Sequence, residues 1–207
     1  MRPSTEREEP EDEVNQGAIL IACIGGGDFL FDMGKLTFIT GGARSGKSSF
    51  ALKEAERAGG RRLFVATLEA RDEEMKKRVE RHVRERGDGW DTIEEPVYVA
   101  ALLREASSVY DAAVLDCLTL WLSNVMHVGR NAEEDGDALV NALSQAKADV
   151  DIYVVSNEVG MGIVPVGEVA REFRDLAGTL NQKVARAADE VYMMASGIPV
   201  KIKGEGA

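Results

Sequence analysis

Cysteine is nearly missing from this chain. Its 207 residues hold two, Cys23 and Cys117, far apart and with no C-x-x-C pair or cysteine–histidine cluster. That excludes a disulfide scaffold and a structural zinc site, points to a reducing cytoplasm, and makes Cys117, set in an apolar run, a small buried residue. Basic charge is also short, with 25 lysines and arginines against 36 acids and a formal net charge of −11. Broad binding to nucleic acid or to an anionic membrane needs a basic face, so neither is expected as a partner; a local basic pocket for phosphate stays compatible. Long apolar runs are absent. The longest, AILIACI (18–24), has seven residues, where a membrane span needs roughly 20. The residues ahead of it, MRPSTEREEPEDEVNQ, carry six acids against two arginines, unlike the basic start of a secretory leader. Repeats are absent too, and 44% apolar content is that of an ordinary globular protein.

Residues 1–34 read as an extension, with an acidic tail over 1–16 expected to be disordered. AILIACIGGGDFLFDM (18–33) reads as two short apolar strands around a glycine-rich turn, and Met33 is a candidate physiological start. From Lys35 to Ala207 the pattern becomes regular and forms one domain. Apolar strands are expected at LTFIT (36–40), LFVAT (63–67), AAVLD (112–116), DIYVVS (151–156), VYMMA (191–195) and PVKIK (199–203). Helices are expected at 48–58, 72–86, around LTLWLSNVM, and at about 132–148 and 168–188. Short continuous apolar strands alternating with helices indicate an α/β fold, a mostly parallel sheet covered on both faces. The last two strands, joined by SGI, form an antiparallel hairpin at one edge.

GGARSGKS (41–48) matches G-x-x-x-x-G-K-[ST] and follows a strand while opening a helix, the setting that marks a P-loop. Gly41, Gly42, Ala43, Arg44, Ser45 and Gly46 would wrap a polyphosphate with inward N–H groups, and the helix adds its positive end. Lys47 supplies charge to the β- and γ-phosphates, and the Ser48 hydroxyl can ligate Mg²⁺. Asp116, closing AAVLD, suits the second metal-side acid of such a site; it could equally cap the helix that follows. Ser156, Asn157 and Glu158 end another strand, where parallel sheets face their ligands. No NKxD-like motif for guanine readout is found, and the chain is short for a helicase or transporter ATPase. A small-molecule kinase or nucleotidyltransferase fits better.

RVERHVRERGDGW (78–90) carries His82, one of two histidines; the other, His127, is assigned no role. In the expected helix Asp72 caps the start, Gly87 stops the end, and Met75, Val79 and Val83 form the buried stripe. His82 flanks that stripe with Arg78 and Arg86 one turn away on either side. It is either a boundary histidine with ordinary hydrogen bonds or an imidazole kept neutral, hence nucleophilic, by its cationic neighbours. Spacing alone favours the first.

Together these segments, with VLDCLTLWLSN, VVSNEVGMGIVP, FRDLAGTLNQKVARAADEV and SGIPVKIK, closely resemble the bifunctional adenosylcobinamide kinase/adenosylcobinamide-phosphate guanylyltransferase family of cobalamin biosynthesis. The likeness runs from about 35 to 203. It implies a RecA-like P-loop fold, a cytoplasmic transferase using ATP, GTP and Mg²⁺, and a homo-oligomer, a trimer by resemblance. It implies that His82, within RVERH ahead of GDGW, is the guanylylated nucleophile. It also implies guanosine-nucleotide contacts from Ala66, Thr67 and Leu68, from the turn Val83, Arg84, Glu85 and Arg86, and from Glu94 and Asp116. Which of Glu94 and Asp116 reads the base stays open, as does the alternative of another small-molecule P-loop kinase without guanylyl transfer. Asn157 and Glu158 are looser candidates for the corrinoid or metal side.

Overall fold

The computed structural model describes residues 34–68, 87 and 89–207. The apolar runs at 18–33, Met33, the helix at 72–86, His82 and the turn Val83–Arg86 lie outside the described residues. The strands follow the apolar segments: β1 (Leu36–Gly41), β2 (Arg62–Ala66), β3 (Trp90–Glu94), β4 (Ala112–Asp116), β5 (Asp151–Val155), β6 (Glu190–Ala195) and β7 (Ile198–Lys203). Between them run helices α1 (Lys47–Ala58), α2 (Val99–Ala106), α3 (Leu118–His127), α4 (Ala132–Ala146) and α5 (Glu168–Ala187).

The strands form one sheet in the order β3-β2-β4-β5-β1-β6-β7. All neighbours pair in parallel except β6 and β7, so the expected edge hairpin is present. Every residue of β1 is buried, the condition of a central strand covered on both faces. On one face Phe38, Leu115 and Val154 meet the apolar stripes of α2 to α5. Trp121 of α3 is fully buried there and its indole N–H donates to the Val97 carbonyl at 2.9 Å. On the other face Ile39, Val114 and Val155 meet Ala51 and Ala55 of α1, small residues that bring the helix close to the sheet.

Two described elements had no counterpart in the sequence reading. β3 is an edge strand and only half-covered, so WDTIE shows no apolar run. Helix α2 has eight residues and no side-chain cap at Tyr98. Its start is held from outside, by the Glu95 carboxylate accepting from the Val97 and Tyr98 amides at 2.8 and 2.7 Å.

Candidate active site

Six strands run the same way, so their carboxyl ends share one edge of the sheet, where such folds bind ligands. The registers align Glu94, Ala66, Asp116, Val155 and Ile39 in a row across that edge. The P-loop leaves β1 just beyond it. Strand β5 lies between β1 and β4, so one strand separates the strand that feeds the loop from the one that ends in Asp116.

Gly41 has a φ of 146°, and a Cβ there would sit 2.6 Å from the Met194 carbonyl. Gly46, at φ 94°, opens α1 with no side-chain cap, leaving first-turn amides of the kind that bind anions. The Lys47 side chain is buried and folds back so that Nζ donates to the Gly42 carbonyl at 2.6 Å. Burial lowers its pKa, against the opposing pull of Asp116 and Cys117. Ser48 is exposed on the first turn. The hydroxyls of Ser45 and Thr40 are buried without a hydrogen-bond partner among the described residues.

The cradle is braced by parts that local sequence does not advertise. The Glu158 amide donates to the Gly41 carbonyl at 3.0 Å, and the Gly197 amide donates to the Ser45 carbonyl at 3.0 Å. Ser196 and Gly197 have φ values of 52° and 86°, the left-handed pair of a tight hairpin turn. The β6–β7 turn therefore leans on the P-loop; a Cβ on Gly46 would lie 3.3 Å from the Gly197 Cα. Beneath the loop after β5, Ser156 Oγ donates to Asn181 Oδ1 at 2.7 Å, Asn181 Nδ2 donates to the Asn157 carbonyl at 3.3 Å, and the Asn157 amide donates to Thr119 Oγ1 at 2.8 Å. Asn181 and Thr119 escaped sequence reading because each looks like an ordinary polar position on a helix.

Asp116 closes β4 and acts electrostatically on Lys47. It is not the cap of α3: that position belongs to Cys117, which makes no side-chain cap. The Asp116–Cys117 peptide is cis. Cys117 is buried, and burial pushes its thiol up to about 11. Thr67 is fully buried. Its hydroxyl donates to the Cys117 carbonyl at 2.8 Å and accepts from the Cys117 amide at 2.7 Å, while Asn124 Nδ2 donates to the Thr67 carbonyl at 2.8 Å. Thr67 thus fastens β2 to the turn carrying Asp116. Ala66 is buried beside it, Leu68 is half-buried, and Glu94 is exposed at the end of β3.

A P-loop strand set apart from an acid-bearing strand by one intervening strand, with a lysine-bearing cradle at their common edge, defines a P-loop nucleotide-using enzyme of RecA-like architecture. A family model described as cobinamide kinase / cobinamide phosphate guanyltransferase matches residues 37–202, and the chain belongs to that family of bifunctional enzymes. It is 40% identical over 169 residues to the bifunctional adenosylcobalamin biosynthesis protein CobP of Pseudomonas aeruginosa, covering 81% of this chain and 96% of that protein. To the protein of the same description, CobU, from Salmonella typhimurium, it is 38% identical over 184 residues, covering 81% and 99%. A solved structure of a protein from Pyrococcus horikoshii OT3 shares the fold, with a TM-score of 0.51 and 9% identity over 85% of this chain and 89% of that one. Among the described residues no helix is long and apolar enough to cross a membrane.

Proposed function

We propose that this enzyme phosphorylates adenosylcobinamide with a nucleoside triphosphate and then transfers GMP from GTP to adenosylcobinamide phosphate through a guanylyl-histidine on His82. The observation that carries the reading is the family match across 37–202, which contains the P-loop and the RVERH–GDGW stretch together. Connectivity supports it: the segment that contains that stretch follows Leu68, just past the carboxyl end of β2, and leads into β3, which begins at Trp90. The chain therefore departs toward His82 from the ligand edge, beside Asp116.

In the first reaction the acceptor hydroxyl of adenosylcobinamide attacks the γ-phosphorus, and a nucleoside diphosphate leaves. The P-loop amides and Lys47 hold the phosphates and stabilise the charge that spreads over their oxygens. In the second, an imidazole nitrogen of His82 attacks the α-phosphorus of GTP. A P–N bond forms, the bond to the β-phosphate oxygen breaks, pyrophosphate leaves, and the ring gives up its N–H proton. A phosphate oxygen of adenosylcobinamide phosphate then attacks the same phosphorus, the P–N bond breaks, and the imidazole regains a proton. Two steps with a good leaving group replace one difficult displacement.

The exposed hydroxyl of Ser48 and the carboxylate of Asp116 suit Mg²⁺, a hard cation that takes oxygen ligands and usually keeps several waters. When bound, it would neutralise phosphate charge. Asp116 and Glu94 share a register row, and a carboxylate there suits the N1–H and amino donors of guanine. Cytoplasmic location and assembly as a homotrimer complete the proposal. The test is to incubate the protein with adenosylcobinamide, ATP, GTP and Mg²⁺ and follow products by mass spectrometry. The reading requires adenosylcobinamide phosphate, then adenosylcobinamide-GDP; phosphate without the GDP derivative would reduce the protein to a kinase.

A further inference from the structure

A groove of about 1010 Å³ lies between α3, the start of α4 and the first turns of α5. Its wall is apolar at Met126, Val169, Phe173 and Leu176 and carries Glu133 and Glu172. Ordinary small-ligand pockets span about 300–1,000 Å³, so this one stands at the top of that range. Arg130 also lines it, but its guanidinium is matched by Asp135 at 2.6 and 2.7 Å. The two glutamates set the balance of charge.

A line of contacts runs from the groove wall to the phosphate cradle. Its wall includes Ser123, one helical turn beyond Thr119, and Thr119 Oγ1 holds the Asn157 amide at 2.8 Å. The next residue, Glu158, bonds the first glycine of the P-loop. From there the chain runs through residues 159–166 to Gly167 on the groove's lip. That path is apolar and open, with Met161 75%, Ile163 97% and Val166 96% exposed. Arg171 Nη1 holds it from beneath, donating to the Pro165 carbonyl at 3.3 Å and to that of Val166. Exposed apolar surface of this kind belongs to ligand grooves and to protein interfaces alike.

We infer that the corrin macrocycle of the acceptor lies along the path 161–166 with its body in the α3–α4–α5 groove, its phosphate-bearing arm reaching the P-loop. This rests on the function proposed above. Size and charge select the occupant. A corrin is broad and apolar on its faces, with amides at its rim. Its alkylated cobalt(III) centre keeps net positive charge, because ring and alkyl ligand neutralise only part of the metal's, and this complements Glu133 and Glu172. A nucleotide has the opposite charge and needs less room.

Steady-state kinetics of guanylyl transfer, with adenosylcobinamide phosphate varied at saturating GTP, test the assignment. Ala170 is exposed on the groove wall, so Ala170→Trp fills space without entering the core. KM for the corrinoid should rise at least about tenfold, an effect worth about 1.4 kcal/mol, while KM for GTP keeps its wild-type value. Glu172→Gln, a mild change at an exposed site, should raise the corrinoid KM about twofold. Unchanged corrinoid KM in both folded variants overturns the inference. So does a change in sedimentation with unchanged corrinoid KM, which would give the groove to a second copy of the chain. Failure of the underlying function looks different, because the wild-type enzyme would then make no adenosylcobinamide-GDP.

Discussion

Replacing Thr67 by valine tests whether the turn at Asp116 is held as described. The two side chains have nearly the same shape, so the change removes a hydroxyl and little volume. That hydroxyl makes two bonds to one residue, accepting from the Cys117 amide at 2.7 Å and donating to its carbonyl at 2.8 Å. Thr67 is fully buried and Cys117 is 5% exposed, so water cannot replace either bond. A buried amide left without an acceptor costs about 1–3 kcal/mol, and an ordinary buried hydrogen bond contributes about 1. The loss should be about 2–4 kcal/mol. For a chain of this size each kcal/mol lowers the melting temperature by about 2–4 °C, which puts the fall near 5–15 °C in a thermal melt followed by far-ultraviolet circular dichroism. Thr67→Ser keeps the hydroxyl and should lose no more than about 1.5 kcal/mol. A Thr67→Val protein melting within about 2 °C of wild type would refute the clamp.

Three further outcomes follow from the geometry. Lys47→Met keeps the length of a buried side chain and removes its charge, so the kinase rate should fall about 10²–10³-fold with no loss in melting temperature; retained phosphorylation would contradict the role of Lys47. Burial pushes the Glu190 carboxyl up, but hydrogen bonds from Lys35, Lys201 and Tyr192 outweigh it and hold the pKa below the ordinary value. Its stabilisation is therefore full above about pH 4.3, the unfolded value, and is lost as pH falls through the folded one. Glu190→Gln should thus cost about 1 kcal/mol at pH 7 in urea titrations, with the deficit shrinking below about pH 4.3; a deficit unchanged by acid would contradict the ionic role. The buried Cys117 thiol, raised to about 11, should resist a thiol-specific disulfide reagent at pH 8 until the protein is unfolded, and prompt labelling of Cys117 in the folded state would contradict its burial.

Much of this architecture could be read from residue order. GGARSGKS carries its own backbone requirements, and continuous apolar runs such as LTFIT and AAVLD announce buried parallel strands. The SGI turn announced its hairpin because two left-handed residues suit that tight connection. What escaped reading depends on contacts made far along the chain. Nothing near SGI says that the Gly197 amide will meet the Ser45 carbonyl. Asn181 sits in a polar helix and looks like a surface residue until α5 lays it against the end of β5. Asp116 was legible as a strand-end acid, but its second reading, as a cap, fails because α3 begins one residue later. Thr67, expected at the nucleotide through family likeness, also has a structural part that its local sequence does not show, its hydroxyl bonding the Cys117 backbone. The groove between α3, α4 and α5 has no local signature, since it is formed by three segments separated by loops.

The proposed transfer depends on a covalent link between His82 and the guanylyl group. The most direct measurement is to incubate the purified protein with Mg²⁺ and GTP labelled at the α-phosphate, denature it, and follow the protein-bound label with and without acid. The wild-type protein should carry a label that is stable in alkali and released by acid, that His82→Ala never acquires, and that adenosylcobinamide phosphate discharges in the native enzyme. Full labelling of the His82→Ala protein, or guanylyl transfer by wild type with no bound label at any time, would contradict that link.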